Sequence, residues 1–383
     1  MIYFDNSATT KPYEEVLESF IKVSRDFYGN PSSLHGFGAK ADQLLQHARK
    51  QTAEIMGVHP SEIYFTSGGT EGNNLAIKGA AVQHASKGRH IVTSQIEHPS
   101  VIEACEELEK QGFSVDYLPV KSDGSVDIED VKRAVRNETI LVSLMHVNNE
   151  VGTIQPIKEI GKWLSKHSQA LFHVDYVQGC GKIPLSFEEG FIDLCTVSGH
   201  KIHGLKGTGF LYIKSGVQIT PLFSGGNQES KMRSGTENTA GMVAFAKALR
   251  MTEEKRKTSI KHLWYLRNYL YNEILQIQGT VMNTPIDGAA PHIINFSIPG
   301  VKGEVLVHAL EQVNIFVSTT SACSSRQKKT SRTLTSMGIP REQAEGSIRV
   351  SLSYGNSVAE AERFVSAMRN IAEQLSKVIR RSK

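Results

Sequence analysis

The chain has 383 residues, enough for two domains or for one large α/β core with a smaller appendage. Hydrophobic residues make up 39% and charged residues 21%, an ordinary balance for a globular protein. The 43 basic and 39 acidic residues leave a net charge of +4, too small an excess to indicate direct nucleic-acid binding.

The compact basic run Arg326-Gln-Lys-Lys329 reads as a solvated loop or a contact for an acidic partner. No run approaches 18 apolar residues, so no membrane span is expected. The opening Met1-Ile-Tyr-Phe-Asp-Asn6 lacks the basic and apolar regions of an export signal. Cys105, Cys180, Cys195 and Cys323 stand far apart with no C-x-x-C pair, which argues against a disulfide framework and a zinc site. A cytoplasmic enzyme fits that usage.

From residue 13 to about 250, helical and strand patterns alternate. The spacing predicts helices over 36–57, 72–86, 98–111, 127–136 and 157–167. Short β-rich runs lie at 63–66, 90–93, 115–118, 140–144, 171–174, 192–197 and 210–213. Alternation of this kind predicts crossover units and a mostly parallel sheet flanked by helices. Around 238–280 the pattern becomes one long helical stretch. Beyond it come strands near 292–297, 314–317 and 347–352, with helices between them and a last helix from about 357. The reading is a large α/β domain over 13–254. A smaller α+β domain combines 1–12 with 255–383 and carries a mobile loop at about 318–332.

Despite 32 glycines, neither G-x-G-x-x-G nor G-x-x-x-x-G-K-[ST] occurs, so dinucleotide and P-loop readings fail. The anion site that does appear is Thr66-Ser-Gly-Gly-Thr-Glu-Gly-Asn73, between a strand and a helix. There Gly69 lets the backbone approach closely, Thr70 adds a hydroxyl, and the helix N-terminus offers free N–H groups. Leu171-Phe-His-Val-Asp175 is an apolar strand ending in a carboxylate, with Gln178 three residues on. A buried Asp175 needs a cationic or N–H partner, and a protonated pyridine nitrogen is one such group. Asn148-Asn-Glu150 follows another apolar strand, and its amides could hold a ring hydroxyl. His98, before Pro99 at a helix start, could stack on a flat cofactor or simply cap the helix.

The run Cys195-Thr-Val-Ser-Gly-His-Lys-Ile-His203 leaves a buried strand and places Lys201 just beyond it. A desolvated lysine amine attacks carbonyls and forms Schiff bases; an ordinary surface lysine is the plainer alternative. Arg233-Ser-Gly-Thr236 offers a second half of a phosphate cup. Arg349, in an apolar strand, requires a carboxylate, which a substrate or a structural Asp would supply. Cys323 lies in Ser318-Thr-Thr-Ser-Ala-Cys-Ser-Ser-Arg326, a small polar stretch expected to be exposed. Arg326, Lys328 and Lys329 nearby favour its thiolate. Cys105 and Cys195 look structural, and Cys180 is more in keeping with packing than with chemistry.

Taken together these residues resemble the cysteine desulfurases of the class-V aminotransferase family, pyridoxal-phosphate enzymes of fold type I. The likeness runs through Tyr3-Phe-Asp-Asn-Ser-Ala-Thr-Thr10, Gly29-Asn-Pro-Ser-Ser33, Thr66 to Glu71, Glu97-His98 and Met145 to Glu150. It continues through His173-Val-Asp175, Ser198-Gly-His-Lys201, Met232 to Thr236, Ser321-Ala-Cys323 and Ser347-Ile-Arg349. It implies that Lys201 attaches the cofactor covalently and shuttles protons, that Asp175 pairs with the pyridine nitrogen, and that Gln178 and Asn149 approach the ring oxygen. His98 would stack on the ring and act in acid–base steps. Gly69, Thr70, Ser198, Gly199 and His200 would hold the phosphate, joined by Thr236 from the other subunit of a homodimer. Asn149 and Arg349 would bind the substrate, L-cysteine.

The implied reaction yields L-alanine and leaves sulfur on Cys323 as a persulfide for an acceptor protein, such as an iron–sulfur scaffold or a tRNA-thiolating enzyme. Cys323 could also serve as a transient iron–sulfur ligand; no other metal site is expected. Tyr176-Val177, His203 and Leu205 depart from the usual residues of these enzymes without removing a catalytic group. A selenocysteine lyase, a transaminase and a non-catalytic sulfur-relay protein are the alternatives the same fold allows.

Overall fold

The computed structural model describes residues 1–319 and 330–381. The chain opens with a two-residue strand, β1 (Ile2–Tyr3), and two helices, α1 (Glu14–Asp26) and α2 (Gly36–Met56). Strands and helices then alternate through β2 (Ile63–Thr66), α3 (Gly69–His84), β3 (His90–Ser94), α4 (Pro99–Lys110), β4 (Ser114–Leu118) and α5 (Ile128–Ala134). The series continues with β5 (Thr139–Met145), α6 (Ile157–His167), β6 (Leu171–Asp175), β7 (Leu194–Ser198) and β8 (Gly209–Ile213). A 37-residue helix, α7 (Thr239–Leu275), follows. The remainder is β9 (Val281–Met282), β10 (Ile293–Ser297), α8 (Gly303–Glu311), β11 (Ile315–Phe316), α9 (Arg332–Ser336), α10 (Arg341–Glu345), β12 (Ser347–Ser351) and α11 (Val358–Arg381).

The expected α/β alternation is present, with boundaries moved by a few residues. α2 stops where the sequence says it should, because Gly57 takes the left-handed conformation (φ 71°) that closes a helix. The strand expected from 192 begins at Leu194, since Asp193 turns its carboxylate to the Phe172 N–H instead. α1 is absent from the sequence reading. It is amphipathic, with Glu14 and Glu15 in its first turn and Arg25 in its last, and it buries Val16 and Val23.

Seven strands form the central sheet in the order β2-β8-β7-β6-β5-β3-β4. All neighbours pair in parallel except β8, which runs antiparallel to β7 and β2. Every residue of β5 and β7 is buried, as expected for strands covered on both faces. Met145 pairs with Asp175, and Asp175 with Thr196, so β5, β6 and β7 end side by side. The loops leaving their carboxyl ends therefore share one crevice, the place where such sheets bind ligands.

A second apolar cluster lies on the antiparallel sheet β9-β10-β12 and the parallel pair β1-β11. Ile2 and Phe4 belong to it, so the chain's first residues pack with its last. α7 serves both clusters. Met242, Phe245 and Leu249 enter the one under the large sheet, whereas Leu263, Leu266 and Leu270 enter the second. Residue 255 falls between these two sets. Among the described residues no helix is long and apolar enough to cross a membrane.

α3 packs tightly on the strand that leads to Lys201. An added Cβ at Gly72 would stand 2.6 Å from Cγ2 of Thr196. Gly72→Ala should push α3 off β7 and cost about 1–3 kcal/mol. The check is a lowered urea midpoint at unchanged slope.

Candidate active site

The crevice holds a cavity of about 190 Å³ lined by Ser7, Ala8, Gly69, Thr70, Asn73, His98, Ser100, Met145, Val147, Asn149, Asp175, Val177, Gln178, Ser198, His200, Lys201 and Arg349. Ten of the residues singled out from sequence meet here: Gly69, Thr70, His98, Asn149, Asp175, Gln178, Ser198, His200, Lys201 and Arg349. Three do not line it. Gly199 sits beneath, where a Cβ would meet Thr208 Oγ1 at 2.3 Å, so its role is close packing of the turn before Lys201. Thr236 is exposed on the surface segment ahead of α7. Cys323, with Arg326, Lys328 and Lys329, lies outside the described residues.

β2 ends at Thr66, and Gly68 then takes a backbone conformation (φ 138°, ψ −169°) open essentially to glycine alone. This turn starts α3 at the cavity and brings its unpaired N–H groups there. An added Cβ at Gly69 would stand 3.1 Å from Val177 Cγ2, so the main chain itself forms the wall. Thr70, Ser198 and His200 surround the same end. Arg233, which the sequence offers for the second half of a phosphate cup, pairs within the chain with Glu71 of α3 at 3.0 Å.

Asp175 is 6% exposed. Its carboxylate accepts from the Asn73 amide at 2.8 Å and from the Val177 N–H at 3.0 Å. A carboxylate has about four acceptor positions, so a further N–H can still be accommodated. Asn73 also donates to Ser100 Oγ at 2.9 Å, and that hydroxyl lies 2.8 Å from His98 Nδ1. Asp175 and His98 are thus joined through two buried side chains. His98 caps α4, and burial pulls its pKa down, opposed by the Asp175 charge and aided by Lys201. His200 is pushed down to about 3 by burial and then by the cations Lys201, Lys206 and Lys182. Both imidazoles are therefore neutral at physiological pH.

Lys201 closes the short turn after β7. Its Nζ donates to the carbonyls of Ser7 and, at 2.8 Å, Ala8. Gln178 also donates to the Ser7 carbonyl at 3.0 Å, and the Thr10 N–H and hydroxyl hold the His200 carbonyl at 2.8 and 3.0 Å. Residues 7–10 therefore strap the lysine turn.

Arg349 is 1% exposed. It donates to the Asn149 carbonyl at 2.7 Å, to Asp5 at 3.1 Å and to Ser318 Oγ at 2.9 Å, while its buried Nε has no partner among the described residues. Asp5 is thus the structural carboxylate that the sequence left open, and Arg349 also lines the cavity. The thiols of Cys105 and Cys180 are pushed up to about 12 by burial, and that of Cys195 well above its usual range, so these three are inert. Among the described residues no group of three His, Cys, Asp or Glu side chains could hold a metal ion.

Asn73, Ser100, Ser7 and Ala8 escaped the sequence reading. Asn73 carried a weak signal, standing three residues after Thr70 and so on the same helix face. Ser7 and Ala8 contribute main-chain carbonyls, for which no side-chain signal exists.

The model of the aminotransferase class-V family matches residues 2–364. A NifS/IcsS protein homolog of Lactobacillus delbrueckii subsp. bulgaricus is 45% identical over 99% of both chains. The cysteine desulfurase IscS of Dictyoglomus turgidum is 42% identical, covering 98% of this chain and 95% of its own. The solved structure of a NifS-like protein superimposes with a TM-score of 0.91 at 40% identity, covering 98% of this chain and 99% of the other.

Beside His98, Glu97 is buried and accepts from Ser94 Oγ at 2.6 Å, with the Met145 main chain beside it. Burial, and in smaller part Asp175, pushes its pKa up from 4.5 to about 8. A raised pKa stabilises the fold fully below the unfolded value, and that stability is lost as pH rises through the folded one. Glu97→Gln should therefore flatten the fall in urea stability of the wild type between about pH 5 and 8.

Proposed function

The chain belongs to the class-V aminotransferase family, and we propose that it is a pyridoxal-phosphate-dependent cysteine desulfurase. It would convert L-cysteine to L-alanine and pass the sulfur on from a persulfide of Cys323. The observation that carries this reading is the meeting of Lys201, Asp175, His98 and the N-terminus of α3 in one cavity.

The donor set fits the cofactor. A phosphate suits the α3 N-terminus with Gly69, Thr70, Ser198 and His200, because it can accept from both N–H and hydroxyl groups. Asp175 retains acceptor capacity for a pyridinium N–H. Bound there, pyridoxal phosphate supplies an electron sink that acidifies the substrate Cα–H. Lys201 would attach it and carry the α-proton. His98 would lie on the ring and, being neutral, could accept or return a proton. Arg349, which lines the cavity, would bind the substrate carboxylate, with Asn149 alongside.

Cys323 as thiolate would attack the substrate sulfur. The carbon–sulfur bond breaks with its electron pair left on carbon, a proton returns to that carbon, and alanine leaves. The persulfide sulfur then passes to a thiol of an acceptor protein, such as an iron–sulfur scaffold, a tRNA-thiolating enzyme or a thiamine-pathway carrier.

The exposed position of Thr236, outside its own cavity, supports a homodimer in which it completes the partner's phosphate site. A domain boundary near residue 255 would put Arg349 and the Cys323 loop on a small domain facing the cofactor of the large one. We place the protein in the cytoplasm, where free thiols such as Cys105, Cys180 and Cys195 persist.

With L-cysteine and a reductant, the enzyme should release alanine and sulfide in equal amounts. Cys323→Ser should keep the visible absorbance of the holoenzyme and lose about 10²-fold or more in turnover; full turnover in that variant would sink the persulfide role. Mixing Lys201→Ala and Thr236→Ala subunits should restore part of the activity each lacks, measured as alanine formed. A mixture as inactive as its parents would count against the shared site.

A further inference from the structure

Lys182 lies in the loop between β6 and β7 and is 6% exposed. An ammonium group taken out of water is costly unless something specific compensates it. Here the compensation is a single main-chain oxygen: Nζ donates to the carbonyl of Lys201 at 2.6 Å. Glu253 of α7 and Cys180 of the same loop act on Lys182 electrostatically, without a hydrogen bond among the described residues. On its other sides stand His200 and His203, which flank Lys201, and His292 ahead of β10. All three histidines are held neutral by burial, with Lys182 adding to the effect. Among the described residues both ring nitrogens of His292 are buried without partners. Among them, too, no carboxylate contacts Lys182, and its hydrogen bond goes to the peptide of Lys201.

An apolar side chain of the same length would fill this space at lower cost, so the retained charge must act on what it touches. We propose that Lys182 is a positioning residue for Lys201. Its ammonium fixes the Lys201 carbonyl, and with it the direction of the lysine side chain, while its charge disfavours a second positive charge on the Lys201 nitrogen. The inference rests on the reading that Lys201 carries the cofactor. Thr10 already fixes the preceding carbonyl, that of His200, so the two contacts clamp the turn from opposite sides. A neutral Lys201 nitrogen is the form that attacks carbonyl carbon and takes up a proton. Burial pulls the pKa of Lys182 itself down to about 8, so the charge is in place below that pH.

The test uses holoenzyme of the wild type, Lys182→Met and Lys182→Arg, each titrated with pH by its visible absorbance and assayed for kcat and KM. Borohydride reduction followed by peptide mapping locates the cofactor. In the wild type the label should fall on Lys201. In Lys182→Met the absorbance midpoint should move up by about one pH unit, the order expected when a nearby cation is lost at an effective dielectric of about 20. Its kcat should fall, while KM for cysteine stays within about twofold, because Lys182 does not line the cavity. Lys182→Arg, which keeps the cation, should titrate like the wild type. An unchanged midpoint in Lys182→Met overturns the proposal, as does a shift in Lys182→Arg as large as in Lys182→Met. If Lys182→Met does not fold, Lys182→Arg decides alone: a wild-type midpoint supports the proposal, a displaced one overturns it. A wild-type label found elsewhere than on Lys201 would sink the parent reading, and this inference with it.

Discussion

Asp175 is a carboxylate held out of water at the end of a buried strand, and the surrounding structure is arranged to keep it there. The Asn73 amide and the Val177 N–H supply the hydrogen bonds that make the burial tolerable. Asn73 comes from α3, which reaches Asp175 only because Gly72 lets the helix lie against Thr196 of β7. The same helix presents its N-terminus to the cavity. One packing contact therefore places both the partner of the carboxylate and the helix N-terminus at the cavity. From Asn73 the hydrogen bonds continue through Ser100 to His98, so Asp175 and the His98 imidazole are set by one connected network.

A second constraint acts on Lys201. Its turn is held from one side by the strap of residues 7–10 and from another by Lys182. The strap in turn binds the second apolar cluster, because Asn6 and Ser7 hydrogen-bond to Ser351 of β12. Arg349, on the same strand, reaches back to Asp5 and to the Asn149 carbonyl. The lysine turn, the arginine and the loop after β5 are thus tied through a few residues near the N-terminus, and α7 ties the two apolar clusters a second time. This explains why the residues of the cavity are spread from Ser7 to Arg349 along the chain.

The alternation of strands and helices was legible in the sequence because it is written locally, as apolar runs and punctuating glycines. Gly57 ends α2 by the left-handed conformation that its lack of a side chain permits. α1 was missed although its amphipathic pattern, with acidic residues in the first turn and Arg25 in the last, was there to read. In the cavity, Lys201, Asp175 and His98 stood out because each breaks an apolar strand or opens a helix with a polar group that needs a purpose. Asn73 and Ser100 looked like ordinary helix residues. The ion pair between Arg233 and Glu71, 3.0 Å apart, was equally invisible, because the two stand 162 positions apart in the chain.

By itself, the sequence determined which chemistry is available: an amine beyond a buried strand, a carboxylate at another strand's end, and a glycine turn opening a helix. Those follow from residue type and near neighbours. Only the tertiary structure decided the partners, giving Asp5 to Arg349, Asn73 to Asp175 and the Lys201 carbonyl to Lys182. Such choices depend on strand register and on packing between segments up to 344 positions apart. A hydrogen bond only forms when its groups come within about 3 Å, and no local pattern specifies that distance.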